Sequence, residues 1–115
     1  MIRRSSEMKV EVREKMRGGD GAITFQHYFD KTEMGAKTRL CTKLTLPPGA
    51  SIGTHQHDNE DEVFLILSGS GVIDDGKTKT KVSAGDATLT KNGESHSVRN
   101  DGNVPLEIAA LIMCY

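Results

Sequence analysis

The sequence predicts an all-β domain, and three observations carry the prediction. Twelve glycines and three prolines punctuate the 115 residues, and turn signals recur every ~8 to 15 residues, a rhythm of short strands rather than long helices. Two segments alternate apolar and polar residues with the period of two that a half-buried strand requires. Asp75-Gly76, flanked by β-prone runs, is the strongest short hairpin signal in the chain. Domains commonly run from ~100 to 150 residues, so a single domain over 1–115 is expected.

Residues 1–21 are expected to be partly mobile or to pack across a dimer, with residues 1 to about 8 and Gly18-Gly19-Asp20-Gly21 the loosest parts. Residues 22–29 read as a strand with Ile23, Phe25, His27 and Phe29 on one face and Thr24, Gln26 and Tyr28 on the other. Residues 30–37 hold one short helical turn at most. Residues 39–46 place Leu40, Thr42, Leu44 and Leu46 opposite Arg39, Cys41, Lys43 and Thr45. Pro47-Pro48-Gly49 ends that strand, because proline lacks the ladder donor, and a new strand begins near Ser51. Further strands are predicted over 62–67, 71–74, 77–83, 86–90, 95–99 and 104–113, with Asn100-Asp101-Gly102-Asn103 making the last turn.

The runs at 63–67 and 108–113 are apolar on both faces, whereas a strand with one wet face alternates. Something covers the second face, either the N-terminal segment or a second copy of the chain, and a homodimer is the expected state.

Charge and composition exclude several classes. Fifteen basic against sixteen acidic residues give a net charge of -1, with no basic run longer than Arg3-Arg4, so no nucleic-acid partner is expected. No apolar stretch approaches the ~18 residues that span a bilayer, and the N-terminus lacks an apolar signal region. A cytoplasmic protein with no membrane partner follows. Cys41 and Cys114 lie far apart without CxxC or CxxH neighbours, the pattern of free thiols rather than a zinc knuckle or redox pair.

Three of the four histidines fall in the informative part of the chain. His55 and His57 sit at i, i+2, which on an extended strand places both imidazoles on one face, ~6.5 to 7 Å apart at Cα, close enough to chelate one metal. A lone His-x-His pair is more often solvated than ligating, so the neighbours matter. Glu62 follows after the polar turn-rich stretch Asp58-Asn59-Glu60-Asp61, which can reset the strand register. Glu60 and Asp61 are equal contenders for the carboxylate ligand on local grounds. His96 opens a later strand, and a sheet closing on itself would bring it opposite the first pair. His27, sharing a face with Ile23, Phe25 and Phe29, reads as a core or interface residue.

At this point the chain resembles the cupins. Gly49, five residues, His55-Gln56-His57, four residues, Glu62, six residues, Gly69 matches all five fixed positions of the first cupin motif. Gly85, five residues, Lys91, one residue, Gly93, two residues, His96, three residues, Asn100 matches four of five positions of the second, with Lys91 where the family usually has proline. Fifteen residues separate the motifs, as in single-domain microbial cupins. The resemblance implies a small β-barrel of jelly-roll type in which His55, His57, Glu62 and His96 hold one divalent metal, and it selects Glu62 among the carboxylates. Three imidazoles and a carboxylate suit Mn, Fe, Ni or Zn, and Mn is the first choice because open positions would take an oxygen-donor ligand.

The resemblance points to the oxalate decarboxylase-like branch, and so to a small carboxylate ligand such as oxalate. Arg39, on the strand before the first motif, is the candidate clamp for such a carboxylate, against the alternative of an exposed strand residue. There are departures from the decarboxylases. Those enzymes carry two such domains, an arginine where this chain has Ile52, and a lid glutamate well after the last histidine ligand, at a distance that the sequence to Tyr115 does not reach. Decarboxylation needs a proton donor there. Two other readings therefore stand beside the enzyme: a metal-containing binding module without turnover, and a dioxygenase or isomerase on another small polar substrate.

Overall fold

The computed structural model describes residues 1–115. Ten strands follow in order: β1 (Lys9–Glu14), β2 (Ala22–His27), β3 (Thr38–Leu46), β4 (Ser51–Gln56), β5 (Glu60–Ser68), β6 (Ser70–Asp74), β7 (Lys79–Ser83), β8 (Ala87–Thr90), β9 (Ser95–Arg99) and β10 (Leu106–Cys114). They form a six-stranded sheet, β1-β2-β3-β10-β5-β8, and a four-stranded sheet, β4-β9-β6-β7, with every pairing antiparallel. The two sheets face each other as a jelly roll, and their inward residues make one core around Ile23, Phe25, Leu44, Phe64, Ile108 and Val98. No ladder joins the sheets into a closed barrel.

Two features of the N-terminal segment differ from the expectation. Residues 9–14 are a strand, pairing with β2 from Lys9 opposite His27 to Glu14 opposite Ala22. Its sequence KVEVRE does alternate, but with charges rather than apolar residues on the inward face, and hydropathy alone does not reveal it. Nor does the segment cover the apolar outer face: β1 extends the sheet sideways, and Leu65, Leu67, Leu89 and Met113 stay exposed.

A 3-10 turn at Met16–Gly18 then packs on β4 at glycine-only distance. A Cβ at Gly19 would lie 2.1 Å from the Ser51 carbonyl oxygen, and one at Gly53 would lie 2.1 Å from that of Arg17.

Two bulges set the inward residues. On β4, Ile52 opposes Val98 and His55 opposes His96, so Gly53 and Thr54 share one partner position. Ile52 is buried in the core, and an unbroken strand would turn a residue three further on outward; the extra residue restores His55 to the inner face. On β3, Leu40 opposes Ile112 while Thr38 opposes Met113, leaving Arg39 as the bulged residue. Strict alternation had placed Arg39 on the outer face with Cys41 and Lys43. The bulge swings it to the rim of the core.

Candidate metal centre

His55, His57, Glu62 and His96 come together between the sheets, with one ligand atom from each lying within 4.8 Å of all the others. His55 and His96 are direct cross-strand partners on β4 and β9. His96 thus arrives from the adjacent strand of the same sheet, rather than by closure of a barrel as expected from sequence. It is Glu62, on β5 of the facing sheet, that is brought across. The register reset before Glu62 is made by Asn59, whose φ of 59° is one that asparagine tolerates better than most residues.

Each imidazole is held by its Nδ1, leaving Nε2 for the centre. His55 Nδ1 donates to the Gly53 carbonyl at 2.8 Å, inside the bulge. His57 Nδ1 donates to Glu60 Oε2 at 2.5 Å. His96 Nδ1 pairs with the Thr90 hydroxyl at 2.8 Å, and its ring stacks on Phe64. The Nε2 atoms of His57 and His96 are 3.1 Å apart and lie 3.1 and 2.9 Å from Glu62 Oε1. A carbonyl and a carboxylate can only accept, so the proton of neutral His55 and of neutral His57 sits on Nδ1 and their Nε2 lone pairs are bare. Bare lone pairs and a carboxylate oxygen converging in a buried space require a cation, and a metal ion or a proton can supply it.

The electrostatics follow from that crowding. Desolvation pushes His55 below its ordinary value. The Glu62 hydrogen bond raises His57 above it, against desolvation and with help from Glu60. For Glu62, burial pushes the carboxyl up, and hydrogen bonding to His57 and His96, which requires a proton on their Nε2 atoms, outweighs it, so the net shift is downward.

Glu60 takes no place among the converging atoms. Its carboxylate accepts from His57 and is gripped from the other side by Arg39, whose Nε and Nη2 donate at 2.7 and 2.8 Å. The Arg39 hydrogen bond is the main reason that Glu60 falls to about 2. Glu60 and Thr90 thereby orient two of the clustered imidazoles; sequence reading weighed Glu60 only as a rival ligand and gave Thr90 no role. The acidic residue three positions after His57 was the available signal for Glu60; Thr90, on a different strand from the ring it holds, had none. Asp61, the third contender, instead accepts from the Tyr115 hydroxyl and the Asn92 backbone. His27 stays outside the cluster, its Nε2 against Glu11 at 2.5 Å.

A chamber of about 30 Å³ adjoins the cluster, walled by Phe25, Leu44, Ile52, Phe64 and Ile112 beside His55, His57 and Glu62. Arg13, Arg39 and Leu40 stand at its mouth, since they also line an outer vestibule of about 420 Å³.

Residues 42–113 match the cupin domain, Cupin_2. The chain is a cupin. This cupin is 43% identical to the oxalate-binding protein of Thermotoga maritima, over 98% of this chain and 93% of the relative. Its structure superposes with a TM-score of 0.95 on a crystal structure described as a predicted oxalate decarboxylase from Thermotoga maritima, at 43% identity and covering all of both chains. The polyketide cyclase RemF of Streptomyces resistomycificus shares the fold at a TM-score of 0.79 and 23% identity, covering all of this cupin and 81% of that chain.

Proposed function

We propose that this cupin holds one divalent metal, manganese by preference, through Nε2 of His55, His57 and His96 and the carboxylate of Glu62, and that the loaded centre binds a small dicarboxylate such as oxalate. The observation that carries the reading is the convergence of lone pairs with each Nδ1 tied back. Three nitrogens and one oxygen, without thiolate, suit a borderline-to-hard ion that keeps positions for oxygen donors. When bound, such an ion supplies Lewis acidity that neutralises and orients a carboxylate. The protein contributes an apolar chamber that excludes bulk water and a cationic mouth. Arg39 spends Nε and Nη2 on Glu60, and its Nη1 is the group we assign to an incoming carboxylate. A relative that carries the name oxalate-binding protein supports the same ligand class.

We take binding, rather than decarboxylation, as the chemistry. The carboxyl group lining the chamber is that of Glu62, already shared by two imidazoles, and protonation of a carbanion left by carbon dioxide needs a separate acid in reach. The same reading makes the protein cytoplasmic, in keeping with its two free cysteines, and homodimeric through the outer face of the six-stranded sheet. No helix is long and apolar enough to cross a membrane.

Elemental analysis of the purified protein, beside a calorimetric titration of the manganese-loaded form with oxalate, tests the proposal. The expected result is about one metal per chain and saturable oxalate binding, with no carbon dioxide or formate released. His57→Ala empties the centre while the circular-dichroism spectrum keeps its β character. Full metal occupancy in that variant would refute the ligand set, and turnover of oxalate would move the protein to the enzymes.

A further inference from the structure

The inner chamber runs from His55, His57 and Glu62 to a mouth where two guanidinium groups stand, those of Arg13 and Arg39. A dicarboxylate bound at the metal centre, the reading on which this inference rests, gives one carboxylate to the centre and turns the other toward that mouth. They are not equivalent. Arg39 is bound through two nitrogens to Glu60, a buried carboxylate that also holds His57, so withdrawing it would strand Glu60 and loosen a ligand.

Arg13 is differently placed. It reaches the mouth from β1, on the inward face of a strand whose other inward residues are Lys9 and Glu11. Its guanidinium carbon sits over Phe25, 4.1 Å from the ring centroid, a cation–π contact that holds the group without using its donors. Those donors go to Glu11, at 3.0 Å from Nη2 and 3.4 Å from Nε. The pair is about 40% exposed on both sides, and ion pairs in that setting are weak. Glu11 has a second partner, His27 Nε2, on the same oxygen that Arg13 uses. An anion that draws Arg13 away therefore leaves Glu11 with a hydrogen bond.

We infer that Arg13 is the specificity-determining contact for the outer carboxylate of a small dianion, released to it by Glu11, which retains His27. The N-terminal strand thus belongs to the binding site, and selection is by charge at the mouth of the chamber. Bidentate recognition of a carboxylate is what guanidinium geometry provides.

The test is calorimetric titration of manganese-loaded protein with oxalate and with acetate, together with metal content, for wild type, Arg13→Ala, Arg13→Lys, Glu11→Gln and the Glu11→Gln/Arg13→Ala pair. Arg13→Ala is expected to keep its metal and lose ~10- to 100-fold in oxalate affinity, the range of a charge-assisted hydrogen bond. Acetate, with no second carboxylate, should change less than twofold. Arg13→Lys should recover part of the oxalate loss. Glu11→Gln should tighten oxalate severalfold when Arg13 is present and less than twofold when it is absent. Wild-type oxalate affinity in Arg13→Ala would overturn the inference, as would equal tightening by Glu11→Gln in both backgrounds. Loss of metal in Arg13→Ala would also overturn it, making Arg13 a support of the centre. Metal-loaded wild type that ignores oxalate would instead overturn the carboxylate reading itself, and this inference with it.

Discussion

Each converging imidazole owes its direction to a residue outside the cluster: Gly53 for His55, Glu60 for His57 and Thr90 for His96. Outer partners of this kind are worth ~10- to 100-fold in metal affinity. Arg39→Ala should therefore weaken manganese binding within that range by freeing Glu60, and competition with a fluorescent chelator would measure it; an unchanged dissociation constant would show that Glu60 needs no clamp. Glu60 also sets an acid limit. Because its carboxyl falls to about 2 in the folded chain, against an ordinary value near ~4.5 unfolded, the stability it contributes is complete above pH ~4.5 and disappears as the pH falls through about 2. Denaturant titrations of metal-free protein should show the gap between wild type and Glu60→Gln closing over that interval. The clustering of His55, His57, Glu62 and His96 was legible in the sequence because motif spacing survives any local irregularity. Arg13 was not, since one charged residue on a charged strand looks like solvated surface until its neighbours in space are known.

At the scale of single elements, the two bulges explain both what alternation predicted and what it missed. The nine strands expected from residue 22 onward are all present, within a few residues at each end. Period-two reasoning then assigned faces on the assumption of unbroken ladders, and it failed for Arg39 because a bulge is a property of a strand pair rather than of one strand. On β4 the bulge is held from outside, by the Met16–Gly18 turn lying against Gly53. Gly53→Ala puts a methyl group into the Arg17 carbonyl, and overpacking of this sort costs about 1 to 3 kcal/mol. Chemical denaturation should record that loss, and metal affinity should fall with it, as His55 hangs from the Gly53 carbonyl. A variant with wild-type stability would mean that the turn simply lifts away.

For the whole molecule, the outer face of the six-stranded sheet is where the next measurement belongs. Val63 and Leu65 sit opposite Leu89 and Ala109 respectively in adjacent ladders, and Leu65, Leu67 and Leu89 are each more than two-fifths exposed. A homodimer that buries this face predicts that Leu65→Lys combined with Leu89→Lys sediments as a monomer of about half the wild-type mass, with its metal retained; a wild-type chain that already sediments at 12.5 kDa would contradict the dimer. The apolar character of both strand faces was visible in the sequence. What lies against the outer one was not, because hydropathy reports that a surface wants cover and is silent about its source.

The position of β10 has a temporal consequence. This strand, Leu106–Cys114, lies between β3 and β5 and is bonded to both. Until the ribosome has released residues 106–114, β3 and β5 each present an unpaired edge, and half of the larger sheet has no neighbour to join. The ordinary tendency of a nascent chain to fold from its N-terminus is suspended here: β1, β2 and β3 can form a meander, but the facing walls around the four ligands cannot close on each other. Metal capture is thus expected to wait until residues 106–114 have left the ribosome, and the interval before that is the one in which exposed strand edges are open to aggregation.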